Sequence, residues 1–290
     1  MHDVKKQERY FPYLLLAPSI LVILLVLIVP LGYSVYCSLY KCNYMKFTEF
    51  VGLDNFIRVL KNKEYLAAFG RTFYISVISL VIAMVLGVVF ALWIHKYRGI
   101  TAYAIQLLVL IPWVTSQVVG TLLWKWIFSE DLGLLNYFLQ LLGGTRIKLL
   151  SSPRVAVWLL IFVMTWRIIG YAMVNILAGL KSISLSIEEA ARVDGVSRWQ
   201  MFCYIRLPMI KTQMLISAII LTLSNLNNLT VPLSLTGGGP GTATSVITIP
   251  IYRLGFESYQ FGTSSALSIL LFAVTLILSI GYVKVAKYEI

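Results

Sequence analysis

Apolar side chains fall in six long runs along the chain, separated by shorter polar stretches. A helix needs roughly 20 mostly apolar residues to cross a bilayer. The runs of that length are Phe11–Tyr36, Thr72–Ile94, Ala102–Ile127, Val155–Ala178, Gln213–Leu235 and Gly262–Val283. Their continuity predicts helices, because the strands of a membrane barrel alternate polar and apolar residues. The third run contains Pro112, the fourth carries Arg167, and the fifth is the most polar and has Pro232 near its end. Tyr10, Tyr13, Tyr33, Tyr36, Tyr40, Trp93, Tyr97, Trp124 and Trp126 cluster at the run ends. Rings with one wet end are expected at that depth.

Composition agrees with this pattern. The chain is 59% hydrophobic and only 12% charged, against about 25% charged in soluble domains. A net charge of +12 would suit nucleic acid, but the Lys and Arg residues lie mostly between apolar runs, not on one basic face. Loops of inner-membrane proteins ordinarily carry such an excess. With the N-terminus inside, the inside segments 1–10, 95–101, 179–212 and 284–290 hold twelve Lys and Arg. The longer outside segments 37–71, 128–154 and 236–261, with Lys125 at a border, hold eleven. Positive charge is therefore denser inside, which places both termini in the cytoplasm, although Lys41–Lys63 runs against the trend. Cys37, Cys42 and Cys203 make no metal spacing and are expected to be unpaired. His2 and His95 are isolated, so no metal site is expected. The first run is too long for a signal-peptide core and lacks a small-residue cleavage site, so it should remain as a helix.

The loops differ in kind. Residues 37–71 read as an ordered outside segment, with Phe56, Val59, Leu60 and Tyr65 at near-helical spacing. Residues 236–241, Thr-Gly-Gly-Gly-Pro-Gly, predict a tight turn. They are followed by Thr-Ala-Thr and lack the lysine of a phosphate-binding loop. No segment has the makings of an ATP site, and no internal repeat stands out. No His, Cys or carboxylate cluster lies in an apolar run, so the sequence offers no catalytic residues.

The most informative stretch is Lys181–Pro208, between the fourth and fifth runs. Ser186 followed by Glu189 predicts a capping box. Glu188 and Glu189 fall in the first turn, where the helix dipole favours anions. Ala190 and Ala191 are small helix formers, and Gly195 predicts a left-handed cap. Ser197 can start a second short helix, with Pro208 just past its end. Two short helices along the inner membrane surface, joined at Gly195, are expected. Resting on lipid headgroups would favour basic residues flanking an aromatic face. A Glu-Glu-Ala-Ala start suits close docking into a protein groove.

This stretch resembles the EAA loop of importer permeases in the ATP-binding-cassette superfamily. The family pattern is Glu-Ala-Ala, three residues, Gly, nine residues, Ile, one residue and Leu-Pro. Glu189, Ala190, Ala191, Gly195, Ile205, Leu207 and Pro208 match every position. Nearly the whole chain resembles carbohydrate permeases of the maltose/lactose/glycerol-phosphate type. Phe50–Phe56, Pro112-Trp113, Gly133–Asn136, Thr236–Pro240, and Tyr252-Arg253 with Phe256 carry that likeness. The last two features look like the first of the two permeases in such systems, without the extra N-terminal helices and large outside domain of the family's larger member.

The resemblance implies an all-α polytopic membrane protein of six transmembrane helices, the type I importer permease fold. Short cytoplasmic coupling helices would lie between helices four and five. It implies a first section at 1–71 (tail, first span and outside segment), a permease core at 72–283 containing the 181–208 loop, and a tail at 284–290. It implies ATP and Mg only on partner subunits. The partners would be a second homologous permease, two cytoplasmic ATPases, an extracytoplasmic solute-binding protein, a sugar-like solute and membrane lipid, with no nucleic acid. ATPase coupling would fall to Glu188, Glu189, Ala190, Ala191, Asp194, Gly195, Ile205, Leu207 and Pro208.

Candidates for the solute path lie in the spans. On the fifth, Asn225 and Asn228 are three apart on one helical face and Asn227 points elsewhere; amides in a bilayer need partners, either across helices or in a hydrated cavity. On the fourth, Trp166, Arg167, Tyr171 and Asn175 are candidates, and Gln117 on the third is a weaker one. Arg167 could bind an acidic solute, pair with a partner subunit or line the cavity wall. Two alternatives stand beside the carbohydrate importer: the same machinery with another cargo, and an ion-coupled secondary transporter. The latter would be expected to show related halves and broken helices, and the sequence displays neither.

Overall fold

The computed structural model describes residues 15–97 and 99–289, with side chains described as far as Lys284. His2, Tyr10, Phe11, Tyr13 and the 1–10 tail lie outside the described residues. The described chain divides into two compact units. One comprises the chain up to Tyr65 together with Pro250–Phe272; the other comprises Leu66–Ile249 and the chain from Ala273.

Four helices are long and apolar enough to cross a membrane: α1 (Leu15–Ser38), α3 (Lys63–Lys96), α7 (Pro153–Ser182) and α13 (Phe261–Glu289). Two bent pairs raise the number to as many as six if each pair is one span. The first pair is α4 (Ile100–Val114) and α5 (Gln117–Ile127), turned by 99°. The second is α9 (Arg198–Met209) and α10 (Lys211–Leu226), turned by 65°. Among the described residues, short helices α2 (Asp54–Lys61), α6 (Leu134–Leu141), α8 (Leu185–Val193), α11 (Thr230–Leu235) and α12 (Thr248–Tyr252) and the widened helical turn Arg253–Glu257 complete the helical set.

The expectation of an all-α chain is corrected in the first unit. Residues 37–71 contain an antiparallel hairpin, β1 (Tyr40–Asn43) with β2 (Lys46–Phe50). Its two turn residues, Tyr44 and Met45, have φ of 49° and 60°, the left-handed pair that matches strand twist in tight hairpins. Side chains pay a steric penalty there, and neighbours hold the turn in place. The Tyr44 amide donates to the Tyr259 carbonyl at 2.9 Å, and the two rings stack at 5.2 Å. Asn55 is buried and its amide donates to the carbonyls of Ser38 and Tyr40 at 2.8 and 3.0 Å, locking α2 to the hairpin base. The helical spacing in this segment belongs to two helices: Phe56, Val59 and Leu60 lie on α2 and Tyr65 on α3. Asn62 separates them, and its side chain accepts from the amides of Glu64 and Tyr65, the preferred cap chemistry. The second span therefore starts well before Thr72.

In the second unit α7 is the central helix. Small residues let it approach its neighbours, as membrane helix packing requires. A Cβ on Gly87 of α3 would lie 2.8 Å from the Ala172 methyl, and one on Gly170 would lie 2.7 Å from the Val109 carbonyl of α4. One buried cluster joins Ala83, Ala91 and Ile94 of α3 to Ile168, Met173 and Ile176 of α7 and Leu221 of α10. A second joins Ile75, Leu160, Met164, Val231, Leu235 and Ile249.

Two expectations about the spans are overturned. The third run is a helix pair broken at Thr115 and Ser116, which are both extended. Pro112 removes one helical hydrogen bond in the turn before the break. The fifth run ends as a helix at Leu226; residues 227–229 are not helical, and α11 begins at Thr230. The chain thus has broken helices that its unbroken hydropathy concealed, so their supposed absence is no argument against a secondary transporter.

Candidate functional site

The loop between α7 and α10 is built almost as expected, with three local differences. Helix α8 starts at Leu185 with Ser184 as its cap. The Ser184 hydroxyl pairs with that of Ser186 at 2.7 Å instead of with a backbone amide. The capping box expected at Ser186–Glu189 is therefore absent, because both residues already lie inside the helix. The box sits at the next helix, where Ser197 accepts from the Gln200 amide and the Gln200 side chain accepts from the Ser197 amide. Pro208 lies inside the last turn of α9, not beyond it, and the chain turns at Ile210 directly into α10.

Gly195 adopts φ +77°. Its amide donates to the Arg192 carbonyl at 3.1 Å, and the Val196 amide donates to the Ala191 carbonyl at 3.0 Å. This bond pair is the Schellman stop, which requires a left-handed residue.

The two acidic residues at the front of α8 face opposite ways. Glu188 turns inward, with its side chain 6% exposed. Both of its oxygens accept from Arg206 at 2.9 Å, Nε to Oε1 and Nη2 to Oε2. Arg192 stands 3.6 Å away and His95, at the end of α3, 3.8 Å away. The hydrogen-bonded Arg206 guanidinium holds the Glu188 carboxyl below the usual carboxylate range, against the opposing effect of burial. Ala191 is buried on the same side. Glu189, Ala190, Val193 and Asp194 are exposed, Val193 at 88%. On α9, Trp199 and Tyr204 are 72% and 77% exposed, Ile205 and Leu207 are half-buried, and Pro208 is exposed. The nine residues expected to couple therefore split into an outward set and an inward set that contains Glu188 and Ala191.

The solute-path candidates are not all brought together. Arg167 fills the elbow between α4 and α5. Its Nη1 donates to the Thr115 carbonyl at 3.4 Å. With the Gln117 amide oriented so that its oxygen faces the guanidinium, that oxygen accepts from Nη2 at 2.6 Å and Nε at 3.2 Å. The guanidinium also lies 5.7 Å from the Trp113 ring centre, and Trp113 packs on Tyr171 at 4.7 Å. Arg167, Gln117 and Tyr171 thus form one cluster with Trp113 and Thr115. Trp166 packs instead on Trp124 at 5.5 Å.

The asparagines serve helix ends and crossings. Asn225 is buried and its amide points to the Ser76 carbonyl at 3.5 Å. The Asn228 side-chain oxygen accepts from the Val231 amide in the first turn of α11 at 3.0 Å, and its backbone carbonyl accepts from the Thr248 hydroxyl. Asn227 is exposed and donates to the Leu223 carbonyl, and Asn175 donates to the Tyr171 carbonyl. The helix ends before Asn228, so Asn225 and Asn228 do not share a helical face. The sequence reading did not single out Arg206, Thr115 or the partnership of His95. Only a basic residue two places before Pro208 hinted at Arg206.

Four long apolar helices, two bent helix pairs and a two-helix loop with an exposed edge make this a helical membrane protein. The chain belongs to the family of binding-protein-dependent transport system inner membrane components, whose model matches residues 72–287. It is a membrane-embedded transport subunit, not an enzyme. It is 31% identical over 293 residues to the trehalose/maltose transport system permease protein MalF of Thermococcus litoralis, covering 99% of this chain and 97% of that one. It is 31% identical over 277 residues to the sn-glycerol-3-phosphate transport system permease protein UgpA of Escherichia coli O6:K15:H31, covering 94% and 93%. A crystal structure of a bacterial alginate ABC transporter, in complex with its pentasaccharide-bound periplasmic protein, contains a chain that matches at a TM-score of 0.83 and 25% identity, covering 96% of this chain and 94% of that one.

Proposed function

We propose that this chain is one permease half of an ATP-driven, binding-protein-dependent importer of a sugar or oligosaccharide. The observation that carries the reading is the exposed edge of α8 and α9: a capped helix with Glu189, Ala190 and Asp194 outward, stopped by the Schellman turn at Gly195. Relatives named for trehalose and maltose, for sulfoquinovosyl glycerol and for glycerol phosphate favour a carbohydrate or polyol cargo. Each bent helix pair counts as one span in this reading, giving six, with both termini and the 181–208 loop in the cytoplasm. Residues 1–71 form the entry section, 72–283 the permease core and 284–290 the tail.

The outward residues Glu189, Ala190, Asp194, Gly195 and Pro208 meet a cytoplasmic ATPase, and Ile205 and Leu207 seat α9 beneath them. ATP and Mg are bound by two such ATPases. A second permease completes the pathway, and an outside binding protein delivers the solute. ATP-driven closure of the ATPases moves α8, and the movement switches a two-state pathway between its faces. Along that pathway Trp166, Tyr171, Asn175 and Asn227 keep partly or fully exposed surface for the solute. Arg167, Gln117, Asn225 and Asn228 are engaged within the chain and shape its walls.

The test is reconstitution of the complete transporter in liposomes, with labelled maltodextrins, disaccharides and glycerol phosphate offered through the binding protein. Uptake that requires both ATP and the binding protein is expected. Uptake that proceeds on an ion gradient without the ATPases would refute the reading.

A further inference from the structure

Glu188 is more buried than a surface helix needs its first acidic residue to be, and its surroundings are specific. A carboxylate withdrawn from water is strongly destabilising unless it is paired and hydrogen-bonded. Here both oxygens are held by the two prongs of one guanidinium, the geometry that fixes direction as well as charge. The partners lie 18 residues apart, on the two different arms of the loop. Arg192 and His95 add positive or polar groups at 3.6 and 3.8 Å.

The joint between the arms is a single left-handed turn. Its two backbone hydrogen bonds close the end of α8, and a Cβ built on Gly195 would meet nothing within 4 Å, so no neighbouring element presses on the turn residue itself. The far end of α9 is fixed, because Ile210 is fully buried within the cluster that holds α3, α7 and α10 together. Arg206 sits one turn before Ile210, at the end of the widened helical stretch Met201–Arg206. Besides its covalent links, through Ile183 and Ser184 to α7 and through Gly195 to α9, α8 touches the rest of the loop at the small Ala191 side chain and the Glu188 cluster.

We propose that Glu188 and Arg206 form a positioning brace that makes α8, α9 and the end of α3 at His95 move as one body, so that a push on α8 reaches the spans instead of bending the Gly195 joint. The proposal rests on the coupling role given above to the exposed edge of α8. Glu189 receives the partner, and Glu188 makes the received motion stiff.

The test uses the full transporter in liposomes and reads solute moved per ATP hydrolysed. Glu188→Gln and Arg206→Gln are each expected to lower that ratio severalfold while ATP hydrolysis continues. The double variant is expected to be no worse than the poorer single, since both remove one device. Arg206→Lys keeps the charge but loses the fork, and should fall between wild type and Arg206→Gln; it carries the test if the other variants fail to assemble with their partners. Ratios equal to wild type in assembled Glu188→Gln and Arg206→Lys, or losses that multiply in the double variant, would overturn the brace. A wild-type complex that shows no ATP-driven uptake would instead overturn the functional reading beneath it.

Discussion

Arg167→Met separates a structural from a solute-binding role for the charge inside the membrane. The substitution keeps most of the stem's bulk and removes the guanidinium. The Thr115 carbonyl, freed by the break between α4 and α5, then loses its Arg167 donor, and the Gln117 oxygen loses contacts at 2.6 and 3.2 Å. Leaving a fully buried polar group without a partner costs about 1–3 kcal/mol, and these half-buried groups sit at the low end of that range. Contact of a cation with an aromatic face is worth about 0.5–2 kcal/mol, and the Trp113 contact goes as well. Water and relaxation at the elbow offset part of these losses, so the expected destabilisation is about 1–2 kcal/mol. Denaturant unfolding of the purified chain in detergent measures it, and hydrogen exchange across residues 114–118 should rise together with it. Gln117→Ala should destabilise in the same direction, and the pair should be non-additive because the two residues share one contact. If Arg167→Met unfolds like wild type while the half-saturating solute concentration rises sharply, the arginine serves the solute and the elbow argument fails.

Other outcomes follow from single contacts. At Gly195, φ +77° favours glycine, then asparagine; Gly195→Asn should retain most coupled uptake and Gly195→Val lose most of it, with membrane insertion unchanged. Gly170→Ala places a methyl 2.7 Å from the Val109 carbonyl, and overpacking of that kind costs about 1–3 kcal/mol, readable as a lower thermal midpoint in detergent. The Glu188 carboxyl is depressed in the folded chain, so its stabilising pair is fully present above the ordinary carboxylate range and is lost as pH falls through the lowered value. The stability lead of wild type over Glu188→Gln should hold from pH 7 down to about pH 5 and shrink only below about pH 4; a lead that vanishes near neutrality would contradict the pairing.

Much of this was legible in the sequence because the bilayer enforces simple rules. Runs of apolar residues located the four long helices and the two bent pairs, Gly195 announced its left-handed turn, and Ser197 marked the start of the next short helix. What stayed hidden depends on direction and on distant partners. Hydropathy measures how apolar a stretch is and is blind to a 99° turn within it, so the elbow at Thr115–Ser116 looked like one helix. The hairpin turn at Tyr44-Met45 carries neither asparagine nor glycine; its backbone is held by Tyr259, more than 200 residues away in the chain. Glu188 and Glu189 are adjacent and chemically alike, and only the position of Arg206 reveals that one faces inward. An unbroken apolar run puts Asn225 and Asn228 on one helical face, the arrangement that suits a solute surface. The helix stops at Leu226, and Asn228 instead serves the first-turn Val231 amide of α11.

Transfer of ATP-driven motion to the exposed edge of α8 and α9 can be read by site-specific cross-linking from Glu189→Cys to cysteines placed along the cleft of the partner ATPase, in the complete transporter with and without ATP. Links are expected to form and to shift position when ATP binds, with solute uptake blocked once they are locked. An absence of links to the ATPase, with ATP-driven uptake intact, would contradict that transfer.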